Sequence, residues 1–148
     1  RGMYGAIIVV DGTEEPVDHE VLLLLGDVGP EVTRKGLFEV INGRVAPLTP
    51  EITLVEGEKV RFRIINVGPN DAHDFYVSGH VLENDHNSQV IDGVTTTDEM
   101  WSVSLGSLTF GDWLMIAGEA GEYSYACSVS GHIEAGMHGL LKVIPGDE

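Results

Sequence analysis

The stretch ITLVEGEKVRFRIINV, residues 52–67, decides the fold class. Laid out as an extended chain, it puts Val60, Phe62 and Ile64 on one face and Arg61, Arg63 and Ile65 on the other. The EGEK segment at 56–59 interrupts it, so the stretch reads as two strands closed by a turn, a β-hairpin. Working outward, no part of the chain sustains a 3.6-residue period. Turn signals recur instead, at Asn42-Gly43, Gly68-Pro69-Asn70-Asp71, Asp92-Gly93, Gly111-Asp112 and residues 118–121. Between them lie strand-length segments carrying β-branched and aromatic residues. The expectation is an all-β protein, a Greek-key β-sandwich or barrel.

Composition narrows the partners. With 148 residues, 43% of them hydrophobic, the chain can bury one good core but not two full domains. Twenty-four acidic against eight basic residues give a formal charge of −16, which repels phosphate backbones and anionic headgroups. Nucleic acid and membrane surfaces are therefore excluded as partners, whereas a basic protein partner could be steered by the same field. VLLLLG at 21–26 is strand length, far short of the roughly 20 apolar residues of a spanning helix. A single cysteine allows no internal disulfide and leaves the redox compartment unread. The chain starts at Arg1 without an initiator methionine, which points to a processed or trimmed product.

Near the N-terminus, residues 6–10 read as an isolated strand, and the polar, proline-containing TEEPVDHE at 13–20 reads as a linker. RGMYGAIIVV (1–10) and AGMHGLLKVI (135–144) share a G-M-x-G opening followed by an apolar strand, the mark of a short internal repeat. Residues 1–12 would then be the tail of a second, missing copy. An orphan strand of this kind is expected to pair with its own sandwich or with a neighbouring subunit.

The chemistry concentrates in YACSVSGHIEAGMHG, residues 125–139. It holds the only cysteine, Cys127, then His132 and Met137 in the spacing C-x4-H-x4-M. Thiolate, imidazole and thioether form a soft donor set suited to copper. Gly131, Gly136 and Gly139 give the loop its freedom to turn. A second imidazole comes from His73 in NDAHDFYVSGH, just after the Gly-Pro-Asn-Asp turn at the start of a strand. Two imidazoles, a thiolate and a weak axial thioether are the donor set of a blue-copper site. The proposed metal ligands are His73, Cys127, His132 and Met137, with Met137 axial. Zinc competes for the same donors, although a dedicated zinc site more often has further cysteines.

FEVINGRVAPLTPEITLVEGEKVRFRIINVGPNDAHDFYVSGH (38–80) and GEYSYACSVSGHIEAGMHGLLKV (121–143) resemble the C-terminal cupredoxin domain of multicopper oxidases, notably the two-domain kind, and are related to copper nitrite reductases. The resemblance covers most of residues 36–145. It implies a cupredoxin sandwich over 21–148, with 13–20 as linker and 1–12 as the end of a preceding cupredoxin domain. In that family the upstream motif is H-x-x-H-x-H-G-H and the loop is H-C-H-x-x-x-H-x-x-x-G-M. His73, Cys127, His132 and Met137 match the type 1 copper ligands. Tyr76, Ser78, Ala126 and Ser128 stand where histidines of a trinuclear cluster would be. The implied protein therefore holds one type 1 copper per chain and is not a laccase. His80 matches a histidine that is not a ligand in the family, so its expected role is structural.

One-electron transfer is the implied function, with His132 as the gateway for the electron and Phe75, Ile133 and Met115 as candidate lining residues. The alternative belongs to another class. If Met137 stands off, an open copper would act on a small molecule, such as nitric oxide oxidised to nitrite. Glu134 and His138 flank the loop as candidate acid–base groups or a second metal site, with a solvated loop role as the plainer reading. A copper-binding module without turnover is a third reading. The resemblance further implies a protein redox partner, work outside the cytoplasm (periplasmic, pseudoperiplasmic or secreted), and a homotrimer built through residues 6–10.

Overall fold

The computed structural model describes residues 4–10, 12–29, 38–85, 90–91, 94–95 and 99–146. Gly2 and Met3 of the repeat, and the expected turn at Asp92-Gly93, lie outside them. The strands, in chain order, are β1 (His19–Val28), β2 (Phe38–Ile41), β3 (Ile52–Val55), β4 (Lys59–Asn66), β5 (His73–Val77), β6 (Glu83–Asn84), β7 (Val90–Ile91), β8 (Val94–Thr95), β9 (Val103–Leu105), β10 (Phe110–Ile116), β11 (Gly121–Cys127) and β12 (His138–Ile144). No helix occurs among the described residues. One sheet runs β2-β1-β4-β10-β6, the other β3-β12-β11-β5-β9, and β7 and β8 form a separate ribbon. The all-β sandwich is as expected.

Strand periodicity does its work through the core. Leu23, Leu25, Ile41, Val60, Phe62 and Ile64 face Leu54, Phe75, Val77, Tyr125, Leu141 and Val143, all essentially buried. Each such side chain contributes about 1.5–3 kcal/mol on leaving water. The alternation of 59–66 correctly assigns Val60, Phe62 and Ile64 to that core.

The hairpin expected at 52–67 is not formed. β3 pairs in parallel with β12, while β4 lies in the opposite sheet between β1 and β10. The turn at 56–58, with Gly57 at φ +85°, carries the chain across the sandwich rather than back along one sheet. Alternation specifies which face of a strand is apolar. It is silent on the neighbour, and two strands with inward apolar faces satisfy the pattern equally well from opposite sheets.

Three more expectations change. Gly111-Asp112 is no turn but part of β10, where glycine makes room for the Trp113 ring; a Cβ there would lie 2.5 Å from it. The strand expected at 6–10 pairs with neither sheet, and Ile7 and Val9 stand 94% and 87% exposed. The supposed linker at 13–20 is a strap, and its last two residues already belong to β1.

That strap explains a burial that the alternation did not predict. Arg61 and Arg63 point to the outer face of their sheet, yet they are only 2% and 6% exposed. Arg61 donates through Nη1 to Glu20 at 2.8 Å, through Nη2 to the Glu15 carbonyl at 2.6 Å, and through Nε to Asp85. Arg63 donates to Asp112 and Glu14, each at 2.7 Å. Lys59 ties the strap further, through Glu15 and through its main chain to Asp18. The two guanidiniums, Arg63 first, hold the Glu20 carboxyl below its usual range. Part of the large acidic excess is thus structural.

Arg61→Ala is expected to cost about 3–5 kcal/mol, because it strands the buried Asp85 carboxylate. Glu20→Gln, on a half-exposed partner, should cost less than about 1 kcal/mol. Denaturant midpoints measure both, and equal losses would contradict an ion-paired strap.

Candidate metal centre

His73 reaches its place through the turn before it. Asn66, at the end of β4 and fully buried, donates to the carbonyls of Asp71 (2.8 Å) and Leu105 (3.2 Å) and accepts the Gly68 N–H (2.9 Å). That pins the Gly-Pro-Asn-Asp turn and makes His73 the first residue of β5. Parity along β5 turns His73, Phe75 and Val77 inward. Phe75 lies opposite Cys127 on β11, and the Ser128 N–H donates to the Asp74 carbonyl at 2.8 Å. Inward parity on β11 buries Tyr125 and Cys127. Two strand ends therefore present an imidazole and a thiol to the same point.

The second imidazole is delivered by a loop locked through its own main chain. His132 donates its N–H to the Val129 carbonyl, Ala135 to Gly131, Gly136 to Ile133 and Met137 to His132, at 2.9–3.1 Å. Cys127 N–H closes the loop on the Met137 carbonyl at 3.1 Å. Gly131 and Gly136 take positive φ, +87° and +104°, the freedom expected of them. Gly139 serves differently: it lies in β12 under the Tyr125 ring, where a Cβ would sit 2.2 Å from Cζ.

The resulting geometry is a triangle. Cys127 Sγ lies 3.4 Å from His132 Nδ1 and 3.8 Å from His73 Nδ1, and the two Nδ1 atoms are 3.2 Å apart. Three ligands in a plane, each about 2.1 Å from a shared ion, would lie about 3.6 Å from one another. The spacing fits a metal better than it fits hydrogen bonds to a thiol. His73, Cys127 and His132 are the one group of this kind among the described residues. Met137 is fully buried in the same core, with its main chain bonded to both Cys127 and His132. Asp74 N–H points at Sγ from 3.3 Å, a donor that favours the thiolate.

Burial dominates the electrostatics. It pushes the Cys127 thiol above its usual range, against the Asp74 and Val129 amides. It lowers His73 to about 4, assisted by His132, while Asp71, Asp27 and Asp74 pull the other way. His132 is lowered by burial as well. Neutral imidazoles are the form in which nitrogen can bind a metal. Glu39, on β2, is raised to about 7, first by burial and then by Asp27 and Asp71. It lies 4.0 Å from His132 Nε2.

The remaining expected residues divide. Phe75 is buried opposite Cys127, and Ile133 is 39% exposed on the loop. Met115 is not at the site: it pairs with Val60 at the far end of its strand and lines a cavity with Lys59, His80 and Glu83. His80 has the structural role expected of it. Its Nδ1 bonds the Ser78 carbonyl, which leaves Nε2 to accept the Gly118 N–H at 3.0 Å. Glu134 is solvated and His138 begins β12, so neither joins the donor triangle. Ala126 pairs between Tyr76 and His138 across three strands, and Ser78 Oγ accepts the Ser124 N–H. Sequence reasoning missed Asn66, Asp74 and Glu39. An asparagine closing an apolar strand ahead of Gly-Pro was a visible signal for the first.

In the metal-free Glu39→Gln variant, which lacks the opposing titration of a carboxyl raised to about 7, acid should destabilise the fold between about pH 6.5 and 4. The unfolded chain protonates His73 near 6.5, whereas the folded chain does so only near 4. The loss should be on the order of 3 kcal/mol. Melting temperatures across that window test it, and a flat profile would contradict a buried, neutral His73.

Residues 19–142 match the family model described as multicopper oxidase. The chain is 25% identical over 118 residues to coagulation factor VIII of Canis lupus familiaris, covering 77% of this chain but only 5% of that protein. A crystal structure of a multicopper oxidase superposes with TM-score 0.75 at 18% identity, over 88% of this chain and 46% of that one. A copper nitrite reductase from Nitrosomonas europaea superposes with TM-score 0.72 at 18% identity, over 88% and 50%. This chain thus spans half or less of each of these proteins. With the family model covering the whole sandwich, and a His-Cys-His triangle able to hold copper at its pole, the chain belongs to the multicopper oxidase family as a cupredoxin-like domain.

Proposed function

We propose that the chain is a mononuclear type 1 copper protein that passes single electrons, with one copper held by His73, Cys127 and His132 and by Met137 as axial ligand. The observation that carries this reading is the donor triangle, with edges of 3.2–3.8 Å set by strand ends and a hydrogen-bonded loop. Bound copper supplies a one-electron couple. His73 and Cys127 are fixed by ladder pairing, so their donor atoms have little room to rearrange between oxidation states. Phe75 and Met137 exclude water from the inner side. The Asp74 amide stabilises the thiolate. His132 is the least buried of the three, with a side chain 12% exposed, and provides the route to a protein redox partner. With Tyr76, Ser78, Ala126 and Ser128 at the cluster positions, no trinuclear centre and no laccase-type oxygen reduction are assigned to this chain.

The same reading places the protein outside the cytoplasm, and no helix among the described residues is long and apolar enough to cross a membrane. The exposed apolar segment at residues 6–10 supports a homotrimer in which this segment adds to a neighbouring sheet. Deleting residues 1–10 should then convert a trimer to monomers in light scattering; an unchanged mass would remove that role.

Copper-loaded protein is expected to show intense visible absorption, a narrow copper EPR splitting and one copper per chain. Cys127→Ser should abolish the visible band. If the band survives, the assigned thiolate ligand is wrong. Azide or nitric oxide should leave the spectrum unchanged for an electron carrier, whereas a shift would transfer the assignment to small-molecule redox at an open copper.

A further inference from the structure

Strand β2 has its polarity reversed at the metal pole. Phe38 faces solvent, 53% exposed, while its neighbour Glu39 is buried to 5%. Burying a carboxylate is costly unless a partner compensates, and Glu39 Oε2 has none among the described residues. Asp27 and Asp71, the other charges acting on it, are of the same sign. The imidazole beside it is His132, whose Nε2 lies 4.0 Å from Oε1. The main chain holds the two together, since Glu39 N–H donates to the Ala135 carbonyl of the metal loop at 3.2 Å.

The orientation of the ring gives this neighbour a role. His132 turns Nδ1 toward Cys127 Sγ and His73 Nδ1. If Nδ1 carries the metal, the proton of the neutral imidazole must sit on Nε2, the atom aimed at Glu39. A carboxylate in that position fixes the tautomer and the ring plane, and makes the ligating nitrogen a stronger donor. The 4.0 Å gap closes by a small side-chain rotation or through one bridging water.

We infer that Glu39 is a positioning residue for the metal centre, its carboxylate accepting the His132 Nε2–H when Nδ1 ligates copper. The inference rests on the copper reading above. Stronger donation favours the higher oxidation state, so Glu39 holds the reduction potential down and the copper in.

Glu39→Gln and Glu39→Leu test this in the full chain. In Glu39→Leu, copper affinity should fall by about 10-fold or more, the potential should rise and the EPR parameters should change, with Glu39→Gln intermediate. In the copper(I) form, the His132 Nε2–H proton resonance should be sharp in the wild type and exchange-broadened in Glu39→Leu. The metal-free variants should melt no lower than the wild type, because an uncompensated buried acid has been removed. If potential, EPR parameters and the Nε2–H resonance match the wild type in both variants, the inference is overturned while the copper reading stands. It also fails if the metal-free variants lose stability with the potential unmoved, which marks a purely structural glutamate. A wild-type chain that takes up no copper overturns both. Should Glu39→Leu not fold, Glu39→Gln carries the comparison alone.

Discussion

The antiparallel pairing of β5 with β11 is the constraint on which the metal pole depends. Phe75 opposite Cys127 sets the register, and inward parity then leaves His73 two residues beyond the end of β11, facing the same interior as the thiol. A slip of one residue would leave only one of the two donors facing the core. The register is held from several sides: Ser128 on Asp74, Asn66 on the turn before His73, and the aromatic contacts of Phe75 with Phe62 and Tyr125. A donor triangle assembled by strand pairing is preformed in a way that one carried wholly by a flexible loop is not. Such rigidity is consistent with the one-electron role proposed for the centre.

The other organising feature is charge. A chain with 24 acidic and 8 basic residues would repel itself on compaction if its acids were spread evenly. Here Glu14, Glu20, Asp85 and Asp112 converge on the two arginines of β4, and the strap that carries Glu14 seals the outer face of that sheet. The same strand that fills the core with Val60, Phe62 and Ile64 thus anchors an ion-pair network on its back. At the metal pole, Asp27, Asp71 and Asp74 remain close enough to act on the buried imidazoles. They set a negative field around the centre, against which burial keeps His73 neutral.

Much of this is legible in the sequence. Strand character, the inward face of 60–64 and the soft donor set follow from residue type and local spacing, because alternation and turn chemistry are properties of neighbouring residues; the structural role of His80 was implied by the family resemblance alone. Errors clustered where one segment depends on another. The segment 52–67 has hairpin grammar, yet its strands enter opposite sheets; Gly111-Asp112 looks like a turn, yet it is a strand that yields space to Trp113. TEEPVDHE has a linker's composition because its purpose, compensating Arg61 and Arg63, is visible only when the strands stack.

The sequence by itself determined an all-β chain with two imidazoles, a thiol and a thioether grouped for a soft metal, since side-chain chemistry and periodicity are written locally. Only the tertiary structure decided which strands are neighbours, that the arginines are buried, that Met115 belongs to the far end and that Glu39 stands behind His132. Those facts depend on contacts between residues far apart in the chain. Such contacts are selected by the free energy of the whole packed core and leave no period or motif in any one segment.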